Sequence, residues 1–303
     1  MINGGLKQRL KKAGFRGSLH QDVPMRTLTS FRIGGPARHI LVPQDTADLH
    51  VLMTVFNQEE VNFRLLGNGT NLLVSDSGVQ EPLVKLTHGF KDVLVEGNRV
   101  RAGAGVGLPQ LLHVCAEHGL SGLEPLVGIP GTVGGCIRMN AGSWGVEIGD
   151  FVSALMVVSR LGQISWRKRE ELVFSYREMS LPKGEIIVGG EFSLQEGEQT
   201  EIKGKIDYFL QKRKKIQPLT MPSAGSIFKN PREIPAGKLI DEMGLKELRR
   251  GDAMVSPVHA NFIVNLGSAR ARDVLALIEV IGEKASRRRG IKLVLEVEVV
   301  GEP

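Results

Sequence analysis

The order of apolar and polar positions divides the first third of the chain into alternating strands and helices. Residues 38–42 read as a short strand, and Pro43 breaks it. Residues 46–56 then place Leu49, Leu52, Met53 and Phe56 on one helical face. A strand at 63–66 runs into Gly67-Asn68-Gly69-Thr70-Asn71, and Leu72-Leu73-Val74 continues as strand. From 82 to 104 the strands shorten, and Gly97-Asn98 joins 93–95 to 100–101 as a hairpin. Residues 108–118 form an amphipathic helix, with Leu108, Leu111, Leu112 and Cys115 on its apolar stripe and Gly119 as its stop.

Glycine is dense from 119 to 149, a stretch that reads as backbone wrapped around something flat or anionic. Strand signals resume at 154–158, 164–166 and 186–194. The Glu- and Gln-rich stretch 195–200 is the best domain boundary. Beyond it the pattern predicts helices at 202–215, 236–243 and 269–289, and strands at 262–264 and 292–300. In the final strand, alternation puts Leu293, Leu295, Val297 and Val299 on one face and Val294, Glu296, Glu298 and Val300 on the other. Periodicity therefore does not choose between the two glutamates.

Composition narrows the class. The chain has 303 residues, 42% hydrophobic and 24% charged, which excludes a disordered protein and allows two or three domains. The longest uncharged stretch near the middle, 125–137, is too short and too broken by glycine and proline to span a membrane. No secretory signal is visible at the N-terminus, so the expected address is the cytoplasm. Cys115 and Cys136 match no metal spacing or redox pair, and no metal is expected. The 39 basic residues against 33 acidic ones give +6, which suits an acidic partner. Aromatics make up only 5% and do not interleave with the basic runs 212–215 and 287–289, so nucleic-acid binding is not expected. Arg287, Arg288 and Arg289 before Gly290 read as the end of a helix.

The chemistry lies in two glycine-rich segments. Gly67–Asn71 has the wrong spacing for the dinucleotide fingerprint of the doubly wound fold, yet its amides suit a pyrophosphate. Taken alone it also fits an ordinary tight turn. Gly128-Ile129-Pro130-Gly131-Thr132-Val133-Gly134-Gly135 crowds glycines into eight positions, as close approach of backbone to a ligand requires, and Asn140-Ala141-Gly142 follows. Two such loops without a Walker lysine suggest a large cofactor such as a flavin dinucleotide.

These segments, together with Thr29-Ser30-Phe31-Arg32-Ile33-Gly34-Gly35-Pro36-Ala37, Tyr176-Arg177, the run from Pro222 through Ser226 to Pro231, and Glu296-Val297, resemble the UDP-N-acetylenolpyruvoylglucosamine reductase family. The resemblance runs from about Leu19 to Pro303. It implies an α+β protein: a two-lobed FAD-binding domain of the vanillyl-alcohol-oxidase/p-cresol-methylhydroxylase type over 1–198, with lobes of about 1–75 and 76–198. A C-terminal α+β substrate domain follows over 199–303, its last strand returning to the active site. It also implies non-covalent FAD, NADPH as hydride donor, and reduction of the enolpyruvyl group of a UDP-sugar in peptidoglycan precursor synthesis.

Residue by residue, the resemblance makes Arg177, Ser226 and Glu296 catalytic, Ser226 as proton donor. It assigns FAD binding to Arg32, Gly67, Asn68, Gly69, Thr70, Asn71, Gly128, Pro130, Gly131, Thr132, Gly134, Gly135, Asn140, Ala141 and Gly142. Asn230 matches a contact to the nucleotide sugar. Ile216 stands where many relatives carry a lysine, which makes Lys214 or Lys215 the diphosphate candidate, and Lys215 is taken. His259 reads as a hydrogen-bonded structural histidine, with substrate contact as the alternative. No insertion appears in 186–200, as in the subtype lacking the tyrosine-bearing loop. The expected particle is a monomer with a small nucleotide-sugar substrate. A flavin oxidase of the same fold and a basic binding protein without catalysis remain the competing classes.

Overall fold

The computed structural model describes residues 5–302, so Met1 and Pro303 of the sequence readings lie outside it. The chain forms two compact units, each assembled from separate segments. One comprises the residues up to His20, Ile40–Gly67 and Glu81–Gln211. The other comprises Gln21–His39, Asn68–Gln80 and the residues from Lys212 onward.

In the first unit, helix α1 (Leu6–Lys12) buries Leu6 and Leu10, and α2 (Thr46–Gln58) buries Leu49, Leu52, Met53 and Phe56, the face predicted by periodicity. Asp45 starts α2, its carboxylate accepting the Asp48 N–H at 2.8 Å. Strand Leu83–Val84 pairs in parallel with Pro36–Val42 and with Arg64–Leu65. A five-stranded antiparallel sheet carries the rest of this unit, ordered Ile164–Lys168, Val152–Val158, Ile186–Ser193, Arg99–Gly103 and Val93–Glu96. Against its inner face pack α3 (Leu108–Glu117) and α4 (Val133–Arg138), in a core holding Leu111, Cys115, Ile137, Leu155 and Phe192. The 93–103 hairpin and α3 form as the sequence predicts. Helix α4 does not follow from the sequence, because Gly134 and Gly135 lower its propensity. Thr132 caps it, its Oγ1 accepting the Gly135 N–H at 3.3 Å, and Cys136 and Ile137 anchor it by burial.

Helix α5 (Gln199–Ile216) begins in the first unit, and its last turn belongs to the second. There, α6 (Ala236–Glu242) and α7 (Ala271–Arg289) share a core with Phe31, Ile33, Leu73, Phe228 and Val297. Strands Arg249–Arg250, Ala253–Val255 and Ile263–Asn265 pair antiparallel in that order. Asp76 receives the first N–H groups of α7, Ala271 at 2.9 Å and Arg272 at 3.2 Å. Basic Arg287–Arg289 and left-handed Gly290 end α7 as expected. The predicted final strand is shorter than its alternation suggests. Only Glu298–Val300 forms a strand, parallel to Leu72–Val74, while Leu295 makes an isolated bridge to Phe228.

Candidate functional site

In the first unit Gly67, where the first glycine-rich segment starts, approaches the second segment. A Cβ on Gly67 would lie 2.9 Å from Thr132 Oγ1, so the turn ending the 64–65 strand approaches the α4 cap as only glycine permits. Gly131 and Gly134 are needed for packing within the protein: their Cβ atoms would meet Cys136 Sγ at 2.6 Å and Ala104 Cβ at 2.8 Å. Gly128 has φ +81°. Gly135 and Pro130 are exposed, and a Cβ at Gly135 would touch only Thr132 Oγ1. The Val133, Gly134 and Gly135 N–H groups already donate within the protein, to the Val106 and Ala104 carbonyls and to Thr132 Oγ1. What this segment offers a flat, anionic dinucleotide such as FAD is side-chain-free backbone at Gly67, Gly128 and Gly135, half-buried or exposed.

Asn140 orders the next segment. It is buried with φ +41°, a conformation asparagine tolerates better than most residues. Its Nδ2 donates to Glu147 Oε2 at 2.5 Å and to the Ser175 carbonyl at 2.9 Å, and its Oδ1 accepts the Gly149 N–H at 3.1 Å. The Ala141 N–H donates to the Cys136 carbonyl, closing the chain onto α4.

Arg177 sits at the turn between strands Val173–Ser175 and Glu178–Ser180, with φ +58°. Its Nη2 donates to the Gly142 carbonyl at 3.0 Å, Glu147 Oε1 lies 3.8 Å from Nη1, and the guanidinium stands 5.0 Å from the centre of the Tyr176 ring. Only 18% of the side chain is exposed, so the cation is held rather than swinging in solvent. Arg177, Asn140 and Gly142 thus form one hydrogen-bonded cluster through Glu147, a residue the sequence reading missed.

The second unit gathers four loops. The Ser30 N–H donates to the Gly69 carbonyl at 3.1 Å, and its hydroxyl donates to the Ser223 carbonyl at 2.6 Å. Ser30 therefore ties the segment carrying Arg32 to both the Gly67–Asn71 turn and the serine motif. Arg32 is exposed with φ +54°, and the buried Asn265 holds its loop by donating to the Phe31 carbonyl at 3.0 Å. Gly69 has φ +63°, and a Cβ there would lie 2.3 Å from the Leu28 carbonyl oxygen. Asn68 is exposed, while Thr70 and Asn71 are half-buried.

Ser226 is half-buried opposite Phe262, and the chain after it is bonded on both sides. The Ile227 N–H donates to the Asn261 carbonyl, and the Ile227 carbonyl accepts the Glu296 N–H, each at 2.8 Å. The structure thus brings Ser226 and Glu296 onto adjacent, hydrogen-bonded segments. Glu296 is half-buried and Glu298 exposed.

Asn230 is exposed and caps α6, its Oδ1 accepting the Ala236 N–H at 3.0 Å. Lys215 is exposed in the last turn of α5, where Arg213 is buried. Burial holds the Arg213 guanidinium below its ordinary basicity, and Gln217 Oε1 accepts from it at 3.2 Å. Nothing in the apolar pattern marked Arg213 as the inward member of its basic run. His259 Nδ1 accepts the Asn261 N–H at 3.2 Å, and its ring meets Phe262 edge-on at 4.9 Å. Burial, then the nearby Lys246 cation, lowers its pKa and favours the neutral ring.

Among the described residues no cluster of His, Cys, Asp and Glu has a metal-holding arrangement, and no helix is long and apolar enough to cross a membrane. Residues 37–166 match the FAD-binding domain family model, and residues 217–300 match that of the UDP-N-acetylenolpyruvoylglucosamine reductase C-terminal domain. A UDP-N-acetylenolpyruvoylglucosamine reductase of Syntrophus aciditrophicus is 45% identical over 98% of this chain and 96% of its own length. One from Carboxydothermus hydrogenoformans is 43% identical over 100% of both chains. The crystal structure of UDP-N-acetylenolpyruvylglucosamine reductase from Thermus caldophilus superimposes with a TM-score of 0.83 at 40% identity, covering 94% of this chain and 99% of that one.

Proposed function

The chain belongs to the UDP-N-acetylenolpyruvoylglucosamine reductase family and is an FAD-dependent oxidoreductase; on that premise we propose that it uses NADPH to reduce UDP-N-acetylglucosamine enolpyruvate to UDP-N-acetylmuramate for peptidoglycan synthesis. The proposal assigns FAD to residues 1–198 and the nucleotide sugar to 199–303, in a monomer working in the cytoplasm. Arg32, Gly67–Asn71, the glycine-rich segment Gly128–Gly135 and Asn140–Gly142 are the residues assigned to hold FAD without a covalent link. Bound FAD supplies the hydride chemistry, accepting from NADPH and giving to the methylene carbon of the enolpyruvyl group.

This chain's own residues manage the charge and the proton. Hydride arrival at the methylene carbon leaves negative charge on the neighbouring carbon and its carboxylate. Arg177, whose planar guanidinium is already held by the Gly142 carbonyl and Glu147, is assigned to stabilise that charge. Ser226 is assigned to give its hydroxyl proton to the neighbouring carbon, so that an O–H bond breaks as a C–H bond forms. Glu296 is assigned to stabilise the intermediate. Lys215 and Asn230 are assigned to the diphosphate and the nucleotide sugar.

The observation that supports this reading most strongly is the 2.8 Å bond from the Glu296 N–H to the carbonyl of Ile227, the residue after Ser226. Two segments 70 positions apart in sequence are thereby registered so that an alcohol and a carboxylic acid belong to one local structure. The test is anaerobic spectroscopy of the purified protein. The reading expects a yellow protein that NADPH bleaches and the enolpyruvyl UDP-sugar reoxidises, with flavin released on denaturation. Efficient reoxidation by oxygen but not by the sugar, or a colourless protein unable to take up FAD, would sink it.

A further inference from the structure

We infer that Asn261 is a positioning residue for Ser226, its carboxamide standing in for a peptide unit that holds the 226–229 segment in register against Glu296. The inference rests on the proton-donor role proposed for Ser226.

The segment after Ser226 enters the core, with Ile227 and Phe228 both buried. Buried backbone N–H and C=O groups need partners. Ile227 finds them in backbone: the Asn261 carbonyl on one side and the Glu296 N–H on the other. Lys229 donates its N–H to the Val294 carbonyl at 2.8 Å. Phe228 is satisfied by the Asn261 side chain. Asn261 Oδ1 accepts the Phe228 N–H at 3.0 Å, and Asn261 Nδ2 donates to the Phe228 carbonyl at 2.8 Å. One residue thus makes three bonds to two consecutive residues, adjacent to Ser226 on the chain.

A carboxamide is the side-chain group that matches this demand. It offers one acceptor and a donor in the plane of a peptide group. A carboxylate would set a second acceptor against the Phe228 carbonyl, and an aliphatic residue of similar shape would orphan both backbone groups. The base of the clamp is fixed as well. The Asn261 N–H is bonded to His259 Nδ1, and the N–H groups of Val258 and His259 both donate to Ser256 Oγ, at 3.1 and 3.3 Å. Ser256 is fully buried and donates its own N–H to the Phe262 carbonyl at 2.8 Å. The clamp therefore springs from a closed loop, and its effect falls on Phe228, two residues after Ser226 and between the Ile227 contact with Glu296 and the Lys229 contact with Val294. Proton transfer by a general acid depends on such placement, and an error of about 1 Å costs about a hundredfold in rate.

The test uses the FAD-loaded full chain, in which NADPH bleaching and reoxidation by the enolpyruvyl UDP-sugar are followed separately in single turnovers. A wild-type protein that the sugar does not reoxidise refutes the proposed function, not the clamp. Given a competent wild type, Asn261→Ala is expected to leave bleaching within about twofold and slow reoxidation by about a hundredfold, lowering kcat with little change in KM. Hydrogen exchange at the Phe228 amide should quicken in the same variant. Reoxidation at the wild-type rate, or equal slowing of both half-reactions, overturns the inference. Should Asn261→Ala not fold, Asn261→Asp decides. Its protonated form restores a donor and an acceptor in place, so reoxidation should recover as pH falls, a rise the wild type does not share. A pH profile parallel to the wild type overturns the inference.

Discussion

Asn71 holds Glu296 from the side opposite the serine motif: its Nδ2 donates to the Glu296 carbonyl at 3.0 Å, while its own carbonyl accepts the Glu298 N–H at 2.9 Å. Asn71, at the end of the glycine-rich turn assigned to FAD, and the glutamate assigned to the substrate are therefore joined by hydrogen bonds within the second unit. This coupling makes the conformation of the turn itself a first target for mutation.

Gly69→Ala should destabilise the protein through two separable effects. Its φ of +63° is unfavourable for an L-residue, and its Cβ would lie 2.3 Å from the Leu28 carbonyl oxygen, a backbone atom with no rotamer to escape into. Gly97→Ala is the control, because Gly97 has φ +60° and open space around it. Denaturant unfolding should show a loss of about 1–2 kcal/mol for Gly97→Ala and clearly more for Gly69→Ala. Equal losses would mean that the contact with Leu28 relaxes without strain.

Much of this arrangement was legible in the chain, and its limits have physical causes. Helix α3 and the 93–103 hairpin follow from local periodicity and turn chemistry, so sequence reasoning finds them. Helix α4 was hidden because its stability comes from the Thr132 cap and buried Cys136 and Ile137, against poor intrinsic propensity. Residues 291–297 alternate like a strand, yet their backbone bonds run irregularly to Ile227 and Lys229. The buried asparagines Asn261 and Asn265 act on Phe228 and Phe31, 33 and 234 positions away. No local pattern carries bonds of that range, although polar residues in the apolar run 258–265 were a signal.

The two cysteines should behave as buried apolar residues. Burial pushes both thiols up to about 12, and the Glu124 carboxylate adds to the effect at Cys115. Iodoacetamide at pH 8.5 should leave the folded protein almost unlabelled and modify both thiols after unfolding. The pH sign follows from the same shift. A folded pKa above the unfolded value of about 9 gives stability that is complete below pH 9 and is lost as pH rises toward 12. The double variant Cys115→Ala/Cys136→Ala should therefore show a flatter decline in urea midpoint above pH 9 than the wild type. Parallel declines would contradict the assignment.

Ser226→Ala should divide the two half-reactions. In the proposed mechanism, proton donation follows hydride arrival at the sugar and plays no part while NADPH is consumed. Bleaching by NADPH should stay near the wild-type rate, while reoxidation by the enolpyruvyl UDP-sugar slows by about a hundred- to ten-thousandfold. Stopped-flow absorbance resolves the two. Equal losses in both would give Ser226 a role in binding or in the fold.

The choice between the two glutamates is the sharpest test of the site. Alternation alone places Glu296 and Glu298 on the same face of one strand, but the structure separates them. Glu298 begins the strand paired with Leu72–Val74 and is exposed. Glu296 lies just before that strand, half-buried, its N–H on Ile227 and its carbonyl on Asn71. The backbone of Glu296 is bonded to the Ser226 segment, and the proposed mechanism assigns its carboxyl group to the same carbon frame; an exposed carboxylate such as that of Glu298 adds little to stability. Glu296→Ala should therefore retain FAD and NADPH bleaching and lose sugar-dependent reoxidation by several orders of magnitude, with Glu298→Ala close to the wild type. Alanine is the cleaner substitution, since glutamine at 296 preserves part of the hydrogen bonding. Single-turnover reoxidation of the two variants decides the matter: a crippled Glu298→Ala beside an active Glu296→Ala would transfer the catalytic role to Glu298 and break the link between Ser226 and the carboxyl group two positions earlier.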